Sequence, residues 1–159
     1  TRRIRVATID KHGPFSAFPG VQRWFAVLDG AGVQLTFGPA SQTLVPGDAP
    51  LGFHGKDAPG CTLLNGSTRD LNLMSRDGKS TMQLIANNDA FAAGFGFSAL
   101  YCVVPGIWCD NTGRSKTLKG HTLLWDDASR PGNNWFFAAA DDAAPVHGYW
   151  LHYSPKEQA

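Results

Sequence analysis

The stretch "WFAVLDGAGVQL" at residues 24–35 is followed by "TLVPGDAPLGF" at 43–53, and the same arrangement returns as "LYCVVPGIWCD" at 100–110 followed by "TLKGHTLLWDD" at 117–127. In each copy an apolar run ends at a glycine, Gly30 or Gly106, and a Thr-Leu run later reaches a second glycine, Gly47 or Gly120. The two glycine pairs are offset by nearly the same number of positions. Self-similarity at that scale outranks any single element when a fold is assigned, and it predicts a duplicated β module.

Around these copies, short runs rich in Val, Ile, Leu, Phe and Trp alternate with turn signals: "RIRVATI", "TMQLI", "ALYCVV", "NWFFAA" and "GYWLHYS" among them. About ten strands with almost no helix are expected, joined by turns that the 18 glycines and 10 prolines supply. The stretch "NNDAFAAGF" is read as a short turn. The 159 residues suffice for one compact body with a buried core, built from modules at about 3–78 and 97–153.

Fourteen basic and 13 acidic side chains leave a formal charge of +1, so no field attracts nucleic acid or an anionic membrane. No apolar run reaches the length of a membrane span, and "TRRIRVATID" lacks the apolar core of a signal peptide, which predicts a soluble, cytoplasmic chain. Cys61, Cys102 and Cys109 form neither an even disulfide framework nor a CxxC pair and read as reduced thiols. Strand-edge dimerisation is compatible with such a barrel.

One strand carries unusual chemistry. In "STRDLNLMSRDG", residues 67–78, side-chain alternation places Asp70, Asn72, Met74 and Arg76 on one face and Arg69, Leu71, Leu73 and Ser75 on the other. If the polar face points inward it is the wall of a pocket; if outward, an ordinary solvated strand face. An inward aspartate needs a partner, and Arg23 or Arg76 is the nearby residue able to supply one. Arg23 follows "GPFSAFPG", where an aromatic rim would exclude water and strengthen the pairing of a forked guanidinium with a carboxylate. Phe15, Phe18 and Phe53 would give apolar walls, and Asn72 both a donor and an acceptor to the ligand.

Other chemistries lack their residues. The five histidines, His12, His54, His121, His147 and His152, include no pair at i and i+2, so no metal or other cofactor is expected. There is no G-x-S-x-G elbow, no G-x-G-x-x-G and no P-loop lysine.

The strand, glycine turn, strand pattern resembles the cupin module, a small RmlC-like jelly roll, and its repetition resembles a bicupin: all-β, two similar antiparallel β-barrel modules packed as one body. More specifically, Gly13, Phe15, Ser16, Phe18, Pro19, Gly20, Arg23, Leu28 and Gly30, then Phe53, Gly55, Gly66, Asp70, Asn72, Met74 and Arg76, resemble the motifs of the HutD/Ves family. The resemblance carries Ser16, Met74 and Arg76 into the candidate site beside Arg23, Asp70, Asn72 and the three phenylalanines. It implies a bacterial protein without established catalytic activity that restrains histidine utilisation by binding a small carboxylate, such as urocanate or N-formylglutamate. The alternatives are a cupin-type isomerase or hydrolase acting on a small acid, and a β-sandwich that works through protein partners. Family members open with a glycine-rich segment ahead of Thr-Arg and a further segment before the Arg-Ile strand. Here Arg2 runs straight into Arg3 and Ile4, which predicts a spatial break near residues 2 and 3.

Overall fold

The computed structural model describes residues 1–86 and 89–156. The chain divides into two compact units, Thr1–Asp77 and Gly78–Ala159. The first contains β1 (Arg2–Ile9), β2 (Gly13–Pro14), β3 (Gln22–Asp29), β4 (Val33–Phe37), β5 (Ala40–Leu44), β6 (Leu51–His54), a 3-10 turn (Gly55–Asp57), β7 (Gly60–Leu63) and β8 (Thr68–Ser75). These strands form two four-stranded antiparallel sheets, ordered β1-β8-β3-β6 and β2-β7-β4-β5.

The second contains β9 (Gly78–Leu84), β10 (Phe91–Ala92), β11 (Gly96–Cys102), β12 (Gly106–Asp110), β13 (Ser115–Leu118), β14 (Thr122–Ser129), β15 (Asn134–Ala139) and β16 (Gly148–Pro155). Its sheets are ordered β9-β16-β11-β14 and β10-β15-β12-β13. Adding eight to each strand number of the first unit reproduces the pairing of the second. The all-β, duplicated, cupin-like architecture is therefore present strand for strand. Its second copy takes in β9 and β10, which precede residue 97. The turn read in "NNDAFAAGF" starts at residues 87 and 88, outside the described residues, and Phe91–Ala92 within it form β10.

Each unit has its own core. Phe25, Val27, Val33, Leu35, Leu44, Phe53 and Cys61 cluster in the first, and Leu100, Cys102, Trp108, Trp135, Phe137 and Trp150 in the second. Burying one such side chain contributes about 1.5–3 kcal/mol, so these clusters dominate the energetics of each sandwich. The turn between β3 and β4 requires glycine: Gly30 has φ of +95°, and a Cβ there would lie 2.5 Å from the Ser67 carbonyl oxygen. Cys61, Cys102 and Cys109 are all unbonded thiols.

The break expected near residues 2 and 3 is absent. β1 pairs with β8 in uninterrupted register from Arg2 opposite Ser75 and Arg3 opposite Met74 to Ile9 opposite Thr68, which a chain interruption would disrupt. Among the described residues no helix is long and apolar enough to cross a membrane.

Candidate functional site

β8 lies between β1 and β3, and register decides which side chains meet. Asp70, Asn72 and Met74 oppose Val27, Phe25 and Arg23 on β3, and Ala7, Arg5 and Arg3 on β1. Directly opposed residues share a face, so the polar side of β8 joins the side on which Phe25, Val27 and Phe53 build the first unit's core. Asp70 is 2% exposed and Asn72 5%. Leu71 and Leu73, on the other face, are fully buried as well, so the strand is covered on both sides.

Three polar groups run in a chain along that inner face. Arg23 Nη2 donates to Asn72 Oδ1 at 2.8 Å, and Asn72 Nδ2 donates to Asp70 Oδ1. The direct arginine–aspartate pair expected from the sequence is replaced by a relay through the amide. Asn72 thus uses both ends of its side chain on the protein, which makes it a residue that positions Arg23 more than one that offers itself to a ligand.

The guanidinium of Arg23 sits 4.8 Å from the ring centre of Phe15, 5.3 Å from that of Phe53 and 5.8 Å from that of Phe18. These rings attract the cation while shutting out water. Arg23 Nε is buried without a hydrogen-bond partner among the described residues. Burial lowers the Arg23 pKa and the charge of Asp70 opposes that shift. Burial also raises the Asp70 carboxyl to about 7, against the pull of Arg23, Arg5 and the Asn72 hydrogen bond. Desolvation therefore outweighs the attraction of two nearby cations, and the acid is poised near neutrality.

A cavity of about 270 Å³ opens over this row, lined by Arg3, Arg5, Ala7, Thr8, Ile9, Pro14, Phe15, Ser16, Phe18, Arg23, Asp70, Asn72 and Met74. Its aromatic side is held by backbone bonds: Phe15 N–H donates to the Pro59 carbonyl at 2.9 Å, and Phe18 N–H to the Gly55 carbonyl at 2.9 Å. Gly55 N–H donates in turn to the Val21 carbonyl at 2.7 Å. A Cβ on Gly55 would lie 2.5 Å from the Phe18 carbonyl oxygen, so glycine is required where the loop crosses the chain after β6.

The structure thus gathers Arg23, Asp70, Asn72, Phe15, Ser16, Phe18 and Met74 around one cavity. Phe53 lies beneath it, 8% exposed and packed against the rings of Phe15 and Phe37. Arg76 stands apart from the cavity lining; it follows the end of β8, is exposed, and donates from Nη2 to the Pro19 carbonyl at 3.1 Å. Two lining cations were missed by sequence reasoning: Arg3 and Arg5. Their signal was the alternation in "RRIRVATI", which places both on one face of β1, but their position beside Asp70 needed the β1–β8 register. Among the described residues no three of His, Cys, Asp and Glu come together as a metal-binding group.

A family model described as HutD matches residues 2–141, most of both units. The chain belongs to the HutD family. Among its relatives is an uncharacterized 21.2 kDa protein in the hutC 3′ region of Pseudomonas putida, 42% identical over 73 residues, or 45% of this chain and 38% of that protein. Protein Ves of Citrobacter koseri is 29% identical over 107 residues, covering 67% of this chain and 56% of its own length. The chain therefore spans only part of the length of these curated relatives. The structure of HutD from Pseudomonas fluorescens SBW25 in a formate condition superposes with a TM-score of 0.79 at 24% identity, covering 96% of this chain and 78% of that one, and so shares the fold.

Proposed function

We propose that the first unit is a non-catalytic binding site for a small carboxylate, and that the protein acts in the cytoplasm as a regulator of histidine utilisation by sensing a pathway intermediate such as urocanate or N-formylglutamate. The histidine-utilisation context comes from family membership and from the relative in the hutC region. The ligand class comes from the site. One observation carries it: a buried guanidinium, held by Asn72 and walled by three phenylalanine rings, lies in the same cavity as Arg3 and Arg5. Three cations against one acid that burial drives toward neutrality leave an excess of positive charge, which an anionic ligand would compensate. A planar carboxylate matches the forked geometry of arginine, and the phenyl rings suit an apolar or conjugated ligand body.

The test combines thermal shift and titration calorimetry with urocanate, N-formylglutamate, histidine and a neutral sugar, followed by recovery and chemical analysis of each compound. Stabilisation by a carboxylate, with the compound recovered unchanged, is the expected result. Conversion of the compound, or no response to either acid, would overturn the reading.

A further inference from the structure

The second unit repeats the strands of the first but not its anion site. On the paired strands β11 and β16, Leu100 opposes Trp150 and Ser98 opposes His152. Neither strand carries an arginine, so the buried guanidinium between β3 and β8 has no counterpart there.

The second unit instead has a larger cleft, of about 550 Å³, between the hairpin of β12 and β13 and the strand β14. Charge is segregated across it. Arg114 and Lys116 come from the β13 side, while Asp126 and Asp127 come from β14. Arg114 is locked in place: Nε and Nη2 both donate to Asp110 Oδ2 at 2.8 Å, and its guanidinium lies 5.7 Å from the ring centre of Trp108. Asp126 accepts the Ala128 N–H at Oδ1, at 2.8 Å, and among the described residues neither Asp126 nor Lys116 makes an ion pair.

Trp108 and Trp135 complete the lining, packed edge to face with ring centres 5.2 Å apart. Trp108 is 4% exposed and Trp135 1%, so the two indoles give the cleft an apolar wall that is fixed by packing.

We infer that this cleft binds a zwitterionic α-amino acid with an apolar or aromatic side chain. The ligand carboxylate faces Lys116 and Arg114, its ammonium faces Asp126 and Asp127, and its side chain lies against the tryptophans. The volume falls within the range of small-molecule sites, and opposed charges on two walls select a dipolar ligand over an acid or an amine alone. This site is independent of the carboxylate reading for the first unit.

The experiment is a titration of the isotope-labelled full chain with L-phenylalanine, followed through the assigned indole N–H signals of Trp108 and Trp135. 3-Phenylpropionate and phenethylamine serve as probes lacking one charge each. The expected result is saturable movement of both signals with a dissociation constant of roughly 1 mM or tighter, and binding weaker by about tenfold or more for each single-charge probe. Lys116→Ala and Asp126→Asn, both at exposed or half-buried positions, should weaken L-phenylalanine by a similar factor. Indole signals that stay still up to roughly 10 mM, single-charge probes that bind as well as the amino acid, or variants that bind like the parent protein would each overturn the inference.

Discussion

Arg23 Nη2 donates to Asn72 Oδ1 at 2.8 Å, so the buried cation is aimed by an amide and reaches the Asp70 carboxylate only through it. Arg23 is thus held through Nη2, with phenyl rings around its guanidinium. Arg23→Ala should abolish carboxylate binding measured by calorimetry while circular dichroism shows a folded β protein. Arg23→Lys keeps the charge but loses the fork and should lower affinity by about tenfold or more. Unchanged affinity in Arg23→Lys would mean that charge alone, without bidentate geometry, recruits the ligand.

Asp70 sets a pH dependence of stability. Its carboxyl is raised to about 7 in the folded chain, whereas an unfolded chain ionises it near ~4. Between those values the native state holds a proton that the unfolded state has released. The stability contributed by neutral Asp70 is therefore complete below about pH 4 and declines as pH rises to about 7. Asp70→Asn removes the decline, so its melting temperature relative to the parent should rise from about pH 4 to about pH 8. A constant difference across that range would show that Asp70 titrates normally.

The same proton links to ligand affinity. A bound carboxylate adds negative charge beside Asp70 and favours its neutral form, so binding should weaken as pH rises from about 6 to about 8.5, by up to tenfold per unit above the free-state pKa. Calorimetry in buffers of different ionisation enthalpy should report proton uptake on binding, and Asp70→Asn should abolish it.

Gly55 ties the aromatic loop to the strand that precedes it. Because a methyl at this position meets the Phe18 carbonyl oxygen at 2.5 Å, Gly55→Ala should cost about 1–3 kcal/mol in denaturant unfolding and displace Phe18 from Arg23. Weakened carboxylate binding with the second unit's tryptophan signals unchanged is the expected pattern.

In the second unit, Asp110 closes the β12–β13 hairpin. Its carboxylate accepts the Thr112 and Arg114 N–H groups at 3.0 and 3.1 Å, the Thr112 hydroxyl at 2.7 Å and the Arg114 guanidinium at 2.8 Å. Burial pulls this carboxyl upward, but the bonds from Thr112 and Arg114 outweigh it and hold the pKa at about 2. Its stabilisation is thus present above about pH 4 and lost as pH falls through about 2. Asp110→Ala should lower stability by about 2–3 kcal/mol at pH 7, and the gap from the parent should narrow in acid.

Much of the architecture was readable because duplication and strand alternation are local. The copies at 24–35 and 100–110 lie at the β3–β4 and β11–β12 positions of the two units. The glycines that marked them are not equivalent, however. Gly30 sits in the turn before β4 at positive φ, whereas Gly106 is the first residue of β12, where a Cβ would lie 2.6 Å from a Phe137 ring atom. Backbone conformation and close approach both demand glycine at Gly30, whereas close approach alone demands it at Gly106.

The sequence by itself determined that Asp70 and Asn72 share a face, because the two-residue period of a strand is fixed by backbone geometry. It also determined the candidate partner Arg23 and the aromatic character of the loop before it. Tertiary structure decided that both faces of β8 are buried, that Asn72 stands between Arg23 and Asp70, and that Arg3 and Arg5 enter the same cavity while Arg76 does not. Those outcomes depend on the register between strands far apart in the chain: β1 with β8 and β3 with β8. A shift of one residue in either ladder would turn its partners to the opposite face, and that choice is made by packing over the whole unit, not by the residues within any one strand.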